Sequence, residues 1–578
     1  MARPNIAVLP GALSKARLPN LQAIFLTLLL GFVAILVVTP LAWTLFSSFV
    51  LSKPWEPIVY GLGGWREAFT SPGILESIYY TFSLAVTRQL IALVLGVLLA
   101  WLLARTDIPG KGWLEFMFWL SFFMPALPST LGWILAFDPK VGMVNTWLRN
   151  LPFIDGPVFN IYSFWGIVWA HLTTTALGIK VMLLTPAFRN MDSALEEASR
   201  STGATMLTTL RRVVIPIMAP AILVTTILGL IRSLEAFEIE LILGVRVGID
   251  VYSTKIHHMI EYDPFGGMAP ASALGSFFLL FLLAMVVLNR LYIGGREYTT
   301  VTGRFSNRIV PLGRWKYPIL FLVVLVVLLI TVIPMTFLLM GTFMTVFGFF
   351  DIPDPWTLEH WKAVLDDTGF LSALTNTFLV GLGASVVGVI FCSLLGYIIV
   401  RSRFAGRGVL DFVSWLPWSI PGILLGFGLL WTFLNTPFLK SLHGTTYLLM
   451  IAIIIKSMPF GVQFMKTITL QLGNELEEAS RVCGGSWLRT YVRIVLPLSL
   501  PMLLVVALLI FNSAARDIST LILLGSTHSK TLSLLMLDWL KGSASTEKAM
   551  VVGVIIVALV VLTAIVARVV GGRMVVRS

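Results

Sequence analysis

Long apolar runs separated by short polar stretches fill the chain. Twelve of them are long enough to cross a membrane as helices: about 21–47, 82–104, 114–137, 164–184, 217–244, 272–294, 317–348, 377–400, 411–434, 446–465, 498–524 and 550–570. A hydrocarbon layer of roughly 30 Å takes about 20 apolar residues in helical form. Runs of this length predict an all-α polytopic membrane protein rather than a barrel of short alternating strands. Arg3, Lys15 and Arg17 precede a first run that is too long for a cleaved leader and has no closing small-residue site, so it is read as an uncleaved span.

Composition agrees with the pattern. The chain is 57% hydrophobic and only 12% charged, with a mean hydropathy of +0.90, whereas soluble domains carry about 25% charged residues. A net charge of +12 raises the question of nucleic acid. Most of the 41 Lys and Arg, however, fall on the side of the N-terminus, as the positive-inside rule requires, so lipid and not nucleic acid is the expected surrounding. The loop 349–376, on the other side, collects Asp351, Asp354, Glu359, Asp366 and Asp367 against Lys362. Cys392 and Cys483 lie in an apolar run and a loop, which indicates no disulfide framework.

The polar segments carry a duplication. Leu-Glu-Glu-Ala-Ser-Arg-Ser-Thr-Gly at 195–203 returns as Leu-Glu-Glu-Ala-Ser-Arg-Val-Cys-Gly at 476–484, displaced by 281 positions. The match continues through Leu207/Leu488, Thr209/Thr490, Arg212/Arg493, Pro216/Pro497 and Pro220/Pro501. A second block, Arg105 to Gly112, matches Arg401 to Gly408 at an offset of 296. Six runs per half give two parallel repeats, not inverted ones. The chain divides into a tail (1–20), a first half (21–294) with loop 191–216, a linker (295–316), a second half (317–570) with loop 472–497, and a tail (571–578). Arg296, Arg304, Arg308, Arg314 and Lys316 make the linker a positive-inside loop.

Ser193-Ala-Leu-Glu196 and Asn474-Glu-Leu-Glu477 have the capping-box spacing, which predicts a short helix starting at each site. Gly203 and Gly484 stand where a left-handed residue would end it. A second basic helix comes next, and Pro216 and Pro497 stand at the first turn of the following span. The prediction is a helix-turn-helix lying across the membrane surface, with Ala198, Ser199, Ala479 and Ser480 small enough for a partner backbone to approach. Glu196, Glu197, Arg200, Glu477, Glu478 and Arg481 would set its register through charge.

This loop resembles the cytoplasmic signature of the permease subunits of bacterial ATP-binding-cassette importers, Glu-Ala-Ala, three residues, Gly, nine residues, Ile-x-Leu-Pro. It stands here as Glu197-Ala198-Ser199, Gly203 and Val213-Val214-Ile215-Pro216, and as Glu478-Ala479-Ser480, Gly484 and Ile494-Val495-Leu496-Pro497. Ser replaces the second Ala in both copies, and Val213 and Ile215 replace Ile and Leu in the first. The resemblance covers both halves, and two copies in one chain look like the fused ferric-iron and thiamine type. It implies a type I importer fold in a bacterial inner membrane with both termini cytoplasmic. It further implies that these residues form coupling helices docked on a pair of ATPase subunits, and that a periplasmic or extracellular substrate-binding protein delivers solute. Ferric iron is the expected solute; thiamine, phosphonate, sugar phosphate and polyamine are alternatives within the class. The sequence has no Gly-x4-Gly-Lys-Ser/Thr stretch, so ATP and Mg are expected on the partner subunits and no cofactor on this chain.

Charges within runs are costly unless they face protein or water. Arg88, Arg232, Lys456 and Arg516 fall in spans, with Glu235, Glu238 and Glu240 in the fifth and Asp517 in the eleventh. Glu235 and Arg516 are equivalent under the 281 offset. They are read, with Arg232, Glu238 and Asp517, as a translocation path or gate, against a competing reading as structural ion pairs or snorkelling side chains. His257-His258 lacks carboxylates at ligand spacing, so no metal site is expected. Pro125 and Pro421 predict kinks in the third and ninth spans. An ion-gradient-driven transporter predicts inverted repeats or broken helices at mid-membrane, and the parallel repeat with its doubled surface helix counts against it; an intramembrane enzyme needs a nucleophile or metal motif that is missing. No catalytic residue is expected.

Overall fold

The computed structural model describes residues 21–52, 56–154, 156–191, 194–263, 267–294 and 309–575. The N-terminal tail, most of the linker, Ser193 of the first capping box and the last three residues therefore lie outside the described residues. Among the described residues ten helices are long and apolar enough to span: Ala23–Ser47, Ile74–Arg105, Phe164–Arg189, Leu210–Leu234, Met268–Leu288, Gly313–Gly341, Thr368–Arg401, Thr446–Gln471, Trp487–Arg516 and Thr546–Val569. Two bent pairs, Lys111–Phe123 with Ala126–Phe137 and Arg407–Ser419 with Gly422–Asn435, stand at the third and ninth runs, and the total is twelve when each pair is counted as one broken span. Helices satisfy their own backbone in lipid, which is why these runs take this form.

Two predicted features are corrected. The third and ninth spans are broken, by 100° and 112°, rather than kinked. Proline forces its predecessor out of the helical region. Met124 takes ψ 131° and Ile420 φ −100°, ψ 114°, and Pro125 and Pro421 become the caps from which the second limbs start. The fifth and eleventh spans also end early, at Leu234 and Arg516 instead of near 244 and 524. Asp517 explains the second case: it turns extended (φ −71°, ψ 127°) and its carboxylate accepts from the Thr520 N–H at 2.9 Å, an alternative to helix continuation. Glu235 and Asp517 thus lie just past the ends of the fifth and eleventh spans, and Glu238 and Glu240 in a short helical segment that follows the fifth.

The halves exchange their first spans. The first span crosses the second limb of the ninth at Gly428, where a Cβ would stand 2.2 Å from the Pro40 carbonyl oxygen. The seventh crosses the second limb of the third at Gly132, where a Cβ would stand 2.0 Å from the Pro334 carbonyl oxygen. Glycine is required at both crossings because two backbones touch. The described end of the linker is also tied down: Val310 N–H donates to the Arg105 carbonyl at 2.7 Å, Leu312 N–H to the Asp107 carboxylate at 2.9 Å, and Lys316 lies 3.2 Å from the same carboxylate.

Candidate coupling site

The two repeated loops fold alike. Each begins with an eight-residue helix, Ala194–Ser201 and Glu475–Val482. Each helix ends in a left-handed glycine, Gly203 at φ +84° and Gly484 at φ +78°. The closing bonds form the same motif twice. Gly203 N–H reaches the Arg200 carbonyl at 3.0 Å and Ala204 N–H the Ser199 carbonyl at 3.2 Å; Gly484 N–H reaches Arg481 at 3.0 Å and Gly485 N–H reaches Ser480 at 2.8 Å. This double bond pattern needs the left-handed residue at its centre.

Below each helix lies a buried ion pair that joins the two duplicated blocks. Arg105, at the end of the second span, donates to Glu196 at 2.9 Å, with 1% and 9% of the side chains exposed. Arg401, at the end of the eighth, lies 2.8 Å from Glu477, with 14% and 7% exposed. The predicted capping box at Asn474 is corrected on this account. Its side chain makes no cap bond; it accepts from Arg401 instead, and Glu477 is held by the same guanidinium. A charge-assisted hydrogen bond outweighs a neutral cap.

Ser199 and Ser480 also differ from expectation. They do not open a surface for a partner. Each hydroxyl turns inward to a threonine at the base of the next span, Ser199 to Thr209 at 3.0 Å and Ser480 to Thr490 at 2.8 Å. The serine that departs from the family signature is thus matched by a repeated threonine. Nor is there a separate second surface helix. Residues 206–234 run on continuously, as do 487–516, with one widened π turn each at Leu210–Val214 and Tyr491–Val495. The turn precedes Pro216 and Pro497, whose rings lack an N–H and crowd the carbonyl four residues back; widening relieves both faults.

Ala198, Arg200, Glu478, Ala479 and Arg481 are exposed or partly so, and Val482 and Leu476 show 87% and 50% of their surface. The second loop has an aromatic anchor. Tyr397 donates to Glu477 at 2.9 Å and Tyr491 to Ser393 at 2.8 Å, in a cluster with Trp487. Trp101, Leu210 and Met206 stand at the equivalent positions of the first half.

The charges between the halves do not pair as the offset suggests. Glu235 pairs with Arg232 at 3.0 Å on its own helix end. Arg516 donates to the Phe122 carbonyl at 2.8 Å, and Asp517 pairs with Lys456. Glu238 lies within electrostatic reach of Asp517, Lys456 and Arg516. Arg88 and His171 share one oxygen of Glu240, at 3.0 and 2.8 Å. His257 lies 3.1 Å from both Lys541 and Glu261, while His258 faces Asp250 at 3.9 Å. Sequence reasoning noted the repetition of Arg105, Arg401, Thr209 and Thr490 but missed that they anchor the loop helices. It also missed Lys180, which is buried in the fourth span.

Residues 388–576 match the family described as binding-protein-dependent transport system inner membrane component. Over 390 residues the chain is 28% identical to the ferric transport system permease protein FbpB of Actinobacillus pleuropneumoniae, covering 65% of this chain and 54% of that one. It is 30% identical over 376 residues to a putative ferric transport system permease protein, FbpB 1, of Haemophilus influenzae, covering 64% and 58%. The chain therefore spans little more than half the length of these two relatives. A probable ABC transporter permease protein, y4fN, of Sinorhizobium fredii is 26% identical over 82% of this chain and 83% of its own. Among solved structures, a bacterial alginate ABC transporter in complex with a periplasmic protein is 20% identical, with a TM-score of 0.39 over 49% of this chain and 96% of its own.

Proposed function

We propose that this chain, whose residues 388–576 match the family described as binding-protein-dependent transport system inner membrane component and whose first half repeats the loop signature, is the fused permease of an ATP-driven importer of ferric iron. The observation that carries the reading is the pair of loop helices of one design. Each is locked to the second and fifth spans of its half by an arginine–glutamate pair and a serine–threonine bond, and Ala198, Arg200, Glu478, Ala479 and Arg481 are exposed. A helix fixed at two points moves as a lever: displacement applied at its outer face is delivered to both spans. Two ATPase subunits docked on Glu197, Ala198 and Arg200, and on Glu478, Ala479 and Arg481, would supply that displacement as they close on ATP. With the loops on the cytoplasmic side both termini are cytoplasmic, and a substrate-binding protein delivers cargo at the opposite face. The names of the FbpB relatives support ferric iron as the cargo.

The test is uptake of labelled ferric iron into proteoliposomes holding the full chain, its co-purified ATPase and its binding protein. Uptake that requires ATP and disappears when Glu197 and Glu478 are both reversed to Lys supports the reading. ATP-independent uptake, or uptake untouched by both reversals, counts against it.

A further inference from the structure

The arginines at the ends of the fifth and eleventh spans both reach into the other half, and both stop at the same landmark. Arg232 places its guanidinium carbon 4.8 Å from the Trp418 ring centroid and 5.9 Å from that of Phe460. Arg516 places its own 5.6 Å from the Phe122 centroid while bonding the Phe122 carbonyl at 2.8 Å. Phe122 and Trp418 are equivalent under the 296 offset, and each stands at the end of the first limb of a broken span, just before Pro125 or Pro421. A carbonyl at a helix end has no partner within its helix, which leaves that of Phe122 open to Arg516. Trp418 is itself inserted into a cluster with Ala85, Ile231, Leu234 and Leu282 of the first half.

Duplication alone does not produce this arrangement. The counterpart of Arg232 is Ser513, and that of Arg516 is Glu235, so the two arginines are one helical turn out of register and still meet equivalent aromatics. Arg232 keeps 35% of its side chain accessible. A guanidinium at this depth is tolerated where it meets water or protein, not lipid, so that exposure faces the space between the halves. Each arginine has a counter-ion on its own side of the contact, Glu235 at 3.0 Å for Arg232 and Asp517 within electrostatic reach of Arg516, which Glu238 of the first half also reaches. Cation–aromatic attraction needs the ring within about 6 Å and falls away when the ring withdraws. The retained counter-ion means the arginine is not stranded when that happens.

The geometry points to a pair of latches that close the path between the halves: Arg232 on Trp418 and Arg516 on Phe122, released when the first limbs swing at the Pro125 and Pro421 breaks. This deepens the permease reading and rests on it.

Two measurements on the full chain test it, in a Cys483→Ser background that removes the exposed thiol. In the first, Arg232→Cys and Trp418→Cys are joined by a bis-maleimide linker in the complete transporter. Bridging is expected to cut ATP-driven ferric uptake at least ten-fold relative to the unbridged double variant. In the second, liposomes loaded with potassium and carrying the Phe122→Leu, Trp418→Leu pair, without nucleotide, are expected to leak several-fold faster than those with the parent chain. Arg232→Gln with Arg516→Gln should leak likewise, and serves if the leucine pair does not fold. Undiminished uptake by a chain whose bridge is verified by mass, together with a parental leak rate in the variants, overturns the latch. If the parent itself shows no ATP-driven uptake, the permease reading fails, while the leak comparison still decides whether these contacts seal a path.

Discussion

Neighbouring glutamates in the second loop helix have opposite surroundings. Glu196 and Glu477 are buried against Arg105 and Arg401, while Glu478 is exposed. Removing one member of a buried pair strands the other and costs about 3 kcal/mol or more, whereas an exposed substitution shifts stability by about 0.5 kcal/mol or less. Glu477→Ala is therefore expected to lower the thermal midpoint of the purified chain clearly. Glu478→Ala should leave that midpoint in place and reduce ATP-coupled uptake. At the linker, the Leu312 N–H, with Lys316 beside it, holds the Asp107 carboxyl below its ordinary range. A depressed folded-state pKa adds stability that is complete above the unfolded value of about 3.9 and is lost as pH falls through the folded one. Hydrogen exchange at the Leu312 amide should stay slow down to the ordinary carboxylate range and quicken below it; Asp107→Asn should remove that pH dependence. At this scale the glycines were readable, because a left-handed residue is a local demand. The fate of Asn474 was not, because its competitor Arg401 is 73 positions away.

The loop helix depends on its terminator. An L-residue with a side chain in the left-handed region costs roughly 1–2 kcal/mol, and open space around Gly203 and Gly484 leaves backbone strain as the only penalty. Gly203→Ala with Gly484→Ala is expected to keep the twelve crossings intact, as judged by circular dichroism, yet to weaken retention of the ATPase on the immobilised chain several-fold. Retention equal to the parent would mean that the shape of this turn is not what the partner reads. Proline explains both the success and the failure of reading the elements from sequence. Pro216, Pro497, Pro125 and Pro421 all marked real departures from the regular helix. Proline identity alone does not decide between widening a turn and breaking a span. Pro216 and Pro497 sit in helices that pass through a π turn and continue, whereas Pro125 and Pro421 each reset the direction of the chain.

Across the whole molecule, the doubled architecture was legible because apolar length and charge asymmetry act without tertiary contacts. The exchange of first spans was not, since it rests on close approaches such as Gly132 to Pro334 and Gly428 to Pro40, which no periodicity reports. Filling such a site overpacks it by about 1–3 kcal/mol. Gly132→Leu and Gly428→Leu should each reduce the yield of monodisperse protein, and Gly112→Leu, at a position with open space around it, should not.

The central claim is that the bundle has no fuel of its own and receives it through the two loop helices. The most direct measurement compares cargo accumulation by proteoliposomes containing the full chain and its binding protein, with and without the ATPase subunits, at constant ATP. Accumulation against a gradient only when the ATPase is present is the expected result. Accumulation by the chain without any nucleotide-hydrolysing partner would contradict the account.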